Sequence, residues 1–280
     1  MRIALISDVH SNIVALQSVM KAIKQHSPDI ILSLGDQVNL GPCPKETLAL
    51  LKAEGVTCLH GNHERYILSA MAGDPGYAGA NFASLRYNAS LLTPEEITFP
   101  KEMEFGGVTF CHAMPGDDRF PVFDPALALP KLREMHFEKP THIICGHGHN
   151  PTHIRHGNVT IDSIGAVGCM DDGVPGTAPY AILTLEHGQA MLRPYYVAYE
   201  TRHIKEIFKA SGMADFCPIM AHISCMQMTH NQDFLVPFVE RAQAMSKARA
   251  ETHISEQTWR DMDEIFAWPD GRNTTQYWKK

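Results

Sequence analysis

The chain has 280 residues, of which 44% are hydrophobic and 20% are charged, and its formal net charge is −7. This composition provides a sizeable hydrophobic core and argues against a disordered chain. The negative charge argues against a nucleic-acid-binding protein, because a broad binding face needs a surplus of lysine and arginine.

The first sixty residues alternate between strand and helix patterns. Apolar runs bounded by charged or turn-forming residues predict three buried strands, at 2–7, 30–34 and 56–60. Apolar residues at helical spacing from Ile13 to Ile23 predict a helix after the first strand, and Pro44 opens another that Gly55 closes. This βαβαβ order predicts a parallel sheet flanked by helices.

The pattern becomes richer in strands after a helical stretch near 82–92. Short apolar segments on either side of Gly106-Gly107 and of His187-Gly188 predict hairpins at 103–112 and 180–197. A further strand is predicted at 141–145, and the run from Gly165 to Gly176 predicts a long irregular loop. These elements predict a second sheet packed on the first.

The chain changes character again near residue 200, where glycine becomes rare and strand patterns end. Helices are predicted at 203–211, 218–229, 233–250 and 255–266. We therefore predict two domains, residues 1–199 and a helical C-terminal extension at 200–280. We expect this extension to pack on the first domain or on a partner chain, which allows a homo-oligomer, and to shape access to the site.

Side chains that can bind metal follow five predicted strands. They are Asp8 and His10, then Asp36, then Asn62 with His63 and Glu64, then His112, and finally His147 and His149. Ligands of an open α/β sheet bind outside the carboxyl ends of its strands, so these side chains are predicted to meet at one edge. A single D-x-H or H-x-H pair is weak evidence for a metal site, but five strand ends that each carry such side chains, in this order, are strong evidence.

The predicted ligand set combines nitrogen and oxygen donors without a thiolate, which suits manganese, iron or zinc. Seven ligands are too many for one catalytic ion that must keep an open position. Two ions that share a carboxylate, typically about 3.5–4 Å apart, fit the set better.

In this order, the blocks D-x-H, G-D, G-N-H-E, H and G-H-x-H resemble the calcineurin-like metallophosphoesterase superfamily. The stretches GDQVNLGPCP and DSIGAVGCMDDGVPGTAPYAIL resemble its bacterial and archaeal single-domain phosphodiesterase branch. The resemblance covers about residues 1–197. It implies an α/β fold, the two-sheet αββα sandwich, to which the C-terminal helical extension is added.

The resemblance also implies two divalent metal ions as cofactors, manganese, iron, zinc or nickel. It assigns Asp8, His10 and His149 to the first ion, Asn62, His112 and His147 to the second, and Asp36 to both. His63 matches the catalytic histidine near the leaving group. Glu64 would support His63 from outside the group of metal ligands. The segment CHAMPGDD departs from the H-G-S-P sequence usual in this branch, which concerns substrate shape and not metal binding.

These observations predict a dinuclear-metal-dependent phosphoesterase that hydrolyses a small phosphodiester or nucleotide by attack of metal-activated hydroxide. A phosphoprotein or phosphomonoester phosphatase with the same site is one alternative, and a non-catalytic metal-binding scaffold is another. The predicted partner is a small phosphate ester.

The seven scattered cysteines and the N-terminal segment MRIALISDVH bear on localisation. No two cysteines form a CxxC pair, which favours free thiols in a reducing compartment. The N-terminal apolar stretch is too short for a signal peptide, and no apolar run is long enough for a membrane span. We therefore expect a cytoplasmic location and no membrane association.

Overall fold

The protein is described by a computed structural model that covers residues 1–279. Its strands are β1 (Arg2–Ile6), β2 (Ile30–Ser33), β3 (Thr57–Cys58), β4 (Glu102–Phe105), β5 (Val108–Cys111), β6 (Thr141–Cys145), β7 (Thr152–His156), β8 (Val159–Ser163), β9 (Thr177–Glu186) and β10 (Gln189–Ala198). Its helices are α1 (Ile13–Lys24), α2 (Pro44–Ala53), α3 (Asn62–Met71), α4 (Ala83–Leu91), α5 (Pro125–Glu134), α6 (Ile204–Ala210), α7 (Met213–Phe216), α8 (Pro218–His230), α9 (Leu235–Ala248), α10 (Glu256–Ile265) and α11 (Thr274–Lys279).

The strands form two five-stranded sheets, in the orders β10-β9-β1-β2-β3 and β4-β5-β6-β8-β7. In the first sheet β1, β2 and β3 are parallel, as predicted. The predicted hairpin β9–β10 forms but joins this first sheet, where β9 runs antiparallel to β1. The second sheet has a parallel centre, β5-β6-β8, with antiparallel strands at both edges.

Successive side chains of each strand point to opposite faces of its sheet, and this alternation divides the hydrophobic core into layers. Ile3 and Leu5 of β1 share one hydrophobic cluster with Phe110 of β5 and Ile144 of β6, so the two sheets pack face to face. The β1 residues whose side chains point to the other face of the sheet pack with α1 in a different hydrophobic cluster. The outer face of the second sheet packs with α5. The predicted αββα sandwich is therefore confirmed.

Helices α3 and α5 were not predicted from the sequence. The third strand has only two residues, and α3 begins at Asn62, where the Glu64 carboxylate accepts a hydrogen bond of 2.9 Å from the Gly61 N–H. Helix α5 begins after Asp124, whose carboxylate accepts from the Ala126 N–H. Both helices begin with a side chain that satisfies an unpaired backbone N–H, a local signal that is easily missed without a strong apolar repeat.

The C-terminal helices pack into the same hydrophobic cluster as α1 and the first sheet. The Tyr199 hydroxyl donates to the Met228 carbonyl at 2.7 Å, which ties the end of β10 to α8. His222 of α8 lies between the rings of Trp268 and Tyr277, each with a centroid 4.0 Å away. The predicted helix at 203–211 is shorter, and α7 follows it as a separate turn. The domain boundary near residue 199 stays a prediction.

No described helix combines the length and apolarity that a membrane crossing requires.

Candidate metal centre

The loops that follow β1 and β2 are joined by backbone hydrogen bonds. The Asp8 N–H donates to the Gly35 carbonyl, and the His10 N–H donates to the Asp36 carbonyl, each at 3.0 Å. Parallel pairing of the two strands places their carboxyl ends side by side, and these bonds continue that pairing into the loops. The D-x-H segment after β1 and the G-D segment after β2 are therefore held next to each other.

Four of the predicted metal ligands have left-handed backbone conformations. The φ angles of Asp8, His10, Asp36 and His147 are 51°, 49°, 55° and 60°. Such conformations are uncommon for residues with a Cβ and cluster at functional sites, where the surrounding structure holds them in place. The loops thus turn sharply so that each side chain points into the site.

Two glycines allow the loops to approach closely. A Cβ at Gly61 would collide with the Asp36 carboxylate, and a Cβ at Gly146 would collide with the hydroxyl of Ser7 and the carboxylate of Asp8. These positions therefore need glycine because of space, which explains the glycine in the G-N-H-E and G-H-x-H blocks.

Asp36 lies at the centre of the site and is buried. Its Oδ2 atom is 3.2 Å from His112 Nε2 and 4.0 Å from His10 Nε2. The carboxylate therefore lies between the two predicted ligand groups, as a residue shared by two ions would.

On one side of Asp36, the structure brings together Asn62, His112 and His147. His112 Nε2 is 2.9 Å from Asn62 Oδ1, and the rings of His112 and His147 have centroids 5.2 Å apart. His112 Nδ1 is 2.9 Å from the Leu34 carbonyl, to which it can only donate. This bond orients the ring and directs Nε2 into the site, an arrangement common for metal-binding histidines.

On the other side of Asp36 lie Asp8, His10 and His149. The His10 Nε2 and Asp8 Oδ1 atoms are 3.8 Å apart, and the rings of His10 and His149 have centroids 5.3 Å apart. Asp8 Oδ1 and both ring nitrogens of His10 are buried and have no hydrogen-bond partner among the described residues. Buried polar atoms nearly always have partners, and a divalent cation would supply one.

The donor atoms are close enough to share cations. Asp8, Asp36 and His112 form one group whose donor atoms all lie within 4.8 Å of one another, and His10, Asp36 and His63 form another. With the unpartnered atoms of Asp8 and His10, this spacing shows that the residues present fit divalent metal ions.

The electrostatics of the site also favour a cation. Burial lowers the pKa of His112, but the Asp36 and Asp8 carboxylates and the Leu34 carbonyl outweigh burial and raise this pKa to about 10. Burial lowers the pKa of His10 well below its ordinary value, and His63 lowers it further. The centre therefore stabilises positive charge near the oxygen donors while His10 stays a neutral nitrogen donor.

His63 lies beside the ligand groups and is half-buried. Its Nε2 atom is 3.9 Å from Asp36 Oδ2, and its Nδ1 atom is 2.6 Å from the amide nitrogen of Asn39. With Nδ1 as the acceptor from Asn39, Nε2 carries the proton of the neutral ring. In this tautomer Nε2 is a hydrogen-bond donor toward the centre, whereas binding of a metal ion by His63 would require Nε2 without its proton.

Glu64 lies beneath the Asp36 loop. One carboxylate oxygen accepts from the N–H groups of Asp36 and Gly61 at 3.0 and 2.9 Å, and the other accepts from Gln37 and Val38 at 2.8 and 3.3 Å. Burial and the Asp36 carboxylate together raise the pKa of Glu64 to about 8, although these backbone hydrogen bonds act to lower it. Among the described residues, Glu64 makes no hydrogen bond to the His63 ring, so its contacts support the Asp36 loop.

We expect Glu64→Gln to lower metal affinity by about 10–100-fold, the range typical of residues that orient a ligand. The substitution keeps the shape but places an NH₂ group against backbone N–H donors, which displaces the Asp36 loop. Metal affinity measured by calorimetric titration checks this, with the exposed Glu46→Gln as the matched control. Equal affinities in the two variants would show that Glu64 does not position Asp36.

Two residues near the site were not predicted from the sequence, Asn39 and Cys169. Cys169 Sγ lies 3.6 Å from His149 Nδ1, and its donor atom groups with those of His10 and His149 within 4.8 Å. Burial raises the pKa of its thiol well above the ordinary value. The Gly168 N–H donates to the Asp8 carbonyl at 2.9 Å, which brings this loop to the site. No spacing pattern in the sequence indicates this contact.

Comparison with protein families gives a match over most of the chain. A family model described as the calcineurin-like phosphoesterase superfamily domain matches residues 1–188. These residues include every predicted site residue.

Individual relatives agree with this match. A crystal structure of a metallophosphoesterase from Sphaerobacter thermophilus is 27% identical with a TM-score of 0.59, and the match covers 79% of this chain and 99% of that one. The hypothetical protein PH1004 from Pyrococcus horikoshii shares the fold at 16% identity, with a TM-score of 0.62 and coverage of 83% and 99%. A curated relative, the uncharacterized protein MJ0912 from Methanocaldococcus jannaschii, is 39% identical over 66 residues, which span 24% of this chain and only 27% of that relative.

Proposed function

This chain belongs to the calcineurin-like phosphoesterase superfamily, and from that premise we propose that it is a dinuclear-metal-dependent phosphodiesterase acting on a small phosphodiester or nucleotide. The resemblance stated from the five sequence blocks is confirmed for the superfamily. Membership implies divalent metal cofactors and phosphoric ester hydrolysis. The number of ions and the preference for a diester are part of the proposal.

The central position of Asp36 carries the proposal of two ions. Its carboxylate faces the imidazoles of His10 and His112 from between them, at 4.0 and 3.2 Å. We propose that Asp8, His10 and His149 hold one ion, that Asn62, His112 and His147 hold the other, and that Asp36 contacts both. When bound, such ions act as Lewis acids on the phosphoryl oxygens and lower the pKa of water.

The protein's own groups would orient the substrate and protonate the leaving alcohol. His63 Nε2 faces the centre, while Asn39 holds Nδ1 and so fixes the ring. As a general acid His63 would have to be the imidazolium, with a second proton on Nδ1 donated to the amide oxygen of Asn39; it would then give its Nε2 proton to the leaving oxygen as the phosphorus–oxygen bond breaks, and become neutral.

The charge of the neighbouring arginine supports a diester. Arg65, two residues after His63, makes two parallel hydrogen bonds to Asp118, at 2.7 and 2.8 Å. The Asp118 carboxylate therefore compensates the charge of this guanidinium. A diester carries one negative charge where a monoester carries up to two, so it needs less positive charge beyond the metal ions.

We expect metal-loaded protein to hydrolyse bis(p-nitrophenyl) phosphate with a kcat/KM at least about tenfold above that for p-nitrophenyl phosphate, a barrier difference of about 1.4 kcal/mol. Both substrates release nitrophenolate, so the comparison isolates the effects of the substrate's charge and of the second nitrophenyl group of the diester. The measurement uses protein stripped of metal and reloaded with Mn²⁺, Fe²⁺, Zn²⁺ or Ni²⁺, with metal content determined in parallel.

Each alternative has its own outcome in this experiment. Preference for the monoester would overturn the diesterase and favour a phosphomonoester or phosphoprotein phosphatase. Full metal occupancy without turnover of either substrate would favour the non-catalytic scaffold. We further propose a small phosphate ester as the partner, and the C-terminal helices as the surface of any homo-oligomer.

A further inference from the structure

A cavity of about 380 Å³ lies beside His63, between the family domain and the C-terminal helices. On one side it is lined by His63 and Tyr66 of α3 and by Phe82, which ends a 3₁₀ turn before α4. On the other side it is lined by Met220 of α8 and by Leu235 and Val239 of α9. Its volume is within the range of pockets that bind small molecules.

One wall of the cavity is built from aromatic rings. Tyr66 lies next to His63, with ring centroids 5.5 Å apart, and Tyr77 follows at 5.6 Å from Tyr66 and 5.1 Å from Phe82. Tyr66 and Phe82 are only half-buried, so their rings are available on the cavity side. Aromatic faces and edges are favourable contacts for another planar ring.

The cavity is continuous with the metal centre through His63. Asn39 and His63 both line it, and the same His63 ring faces Asp36 Oδ2 at 3.9 Å. A substituent of a phosphoryl group held beside Asp36 would therefore reach the cavity by extending past His63. The opposite wall belongs to α8 and α9, which lie beyond the matched residues 1–188.

The mouth of the cavity is polar. Arg119, Glu240 and Gln243 contribute to its lining and are exposed to solvent. A ring with polar edge atoms could therefore place its face on the aromatic wall and its edge near these side chains.

We propose that this cavity binds a planar aromatic substituent of the phosphate-ester substrate, an aryl group or a nucleobase. The C-terminal helices then form half of the specificity pocket. The inference rests on the proposed function, because the phosphoryl group is placed at the metal centre.

The test compares benzylphosphonate with methylphosphonate on metal-loaded protein. Both have a phosphorus–carbon bond that the enzyme cannot hydrolyse, and they differ by one phenyl ring. We expect benzylphosphonate to bind at least about tenfold more tightly, because the ring is buried against apolar and aromatic side chains. Isothermal titration calorimetry gives both dissociation constants without any turnover.

Substitutions in α9 test whether the phenyl ring of benzylphosphonate binds in this cavity. Val239→Trp fills the cavity from the C-terminal side, and Gln243→Trp narrows its mouth from an exposed position that tolerates a large side chain. Each should reduce the preference for benzylphosphonate to about threefold or less while methylphosphonate still binds. Ala244→Trp, exposed on α9 and outside the cavity lining, is the matched control and should keep the full preference.

The outcomes separate this inference from the proposed function. Equal binding of the two phosphonates to the unmodified protein, or a preference that both α9 variants retain, would overturn the aromatic pocket and leave the phosphoesterase intact. If neither phosphonate binds to metal-loaded protein and no phosphoester is hydrolysed, the proposed function fails and the inference fails with it.

Discussion

Asp36→Asn should leave the metal centre largely empty and lower phosphoesterase activity by at least about 10³-fold. Each 1.4 kcal/mol corresponds to a factor of ten, and metal-ion catalysis supplies several kcal/mol. The substitution keeps the shape of the side chain but removes the negative charge between His10 and His112, whose nitrogens lie 4.0 and 3.2 Å from its Oδ2 atom. Metal content by mass spectrometry and turnover of bis(p-nitrophenyl) phosphate are the two readouts.

The control for Asp36→Asn is Asp215→Asn, an exposed carboxylate on α7. It makes the same chemical change far from the ligand groups and should leave both readouts unchanged. A folded Asp36→Asn protein that holds two ions and turns over normally would contradict the assignment of Asp36 as the shared ligand.

His63→Ala should retain the metal ions and lose about 10²–10⁴-fold in kcat, the usual contribution of a general acid. The ring is fixed by Asn39 at Nδ1 and directs Nε2 toward the centre. The loss should be smaller for an ester of p-nitrophenol than for an ester of a more basic alcohol, because nitrophenolate leaves with little need of a proton. Turnover of two such substrates, together with metal content, tests both expectations.

The comparison of substrates separates the roles that His63 could have. An equal loss on both substrates would indicate that His63 positions the phosphoryl group or stabilises its charge. Loss of a metal ion would make His63 a ligand, which its grouping with His10 and Asp36 within 4.8 Å also allows. His187→Ala, at an exposed turn, should change neither metal content nor rate.

The sequence alone was enough to place the site at one edge of the sheet. Buried strands were visible as apolar runs, and each was followed by a side chain that serves no purpose in a turn, such as Asp8 or His147. Since parallel pairing puts the ends of such strands together, their convergence follows from local patterns. The same local signals predicted the first three strands and most of the C-terminal helices, because apolar periodicity is a property of neighbouring residues.

The tertiary structure alone decided which distant segments meet. Nothing local shows that β9 pairs with β1, that Asn39 holds the His63 ring, or that Cys169 lies against His149. The aromatic cavity depends on the same kind of contact, since Tyr66 and Val239 are far apart in the chain and form one wall each. Such contacts depend on how complete layers pack, and the free energy that selects one packing is spread over the whole core. The sequence therefore determined the chemistry available at the centre, and the packing of α8 and α9 determined the space beside it.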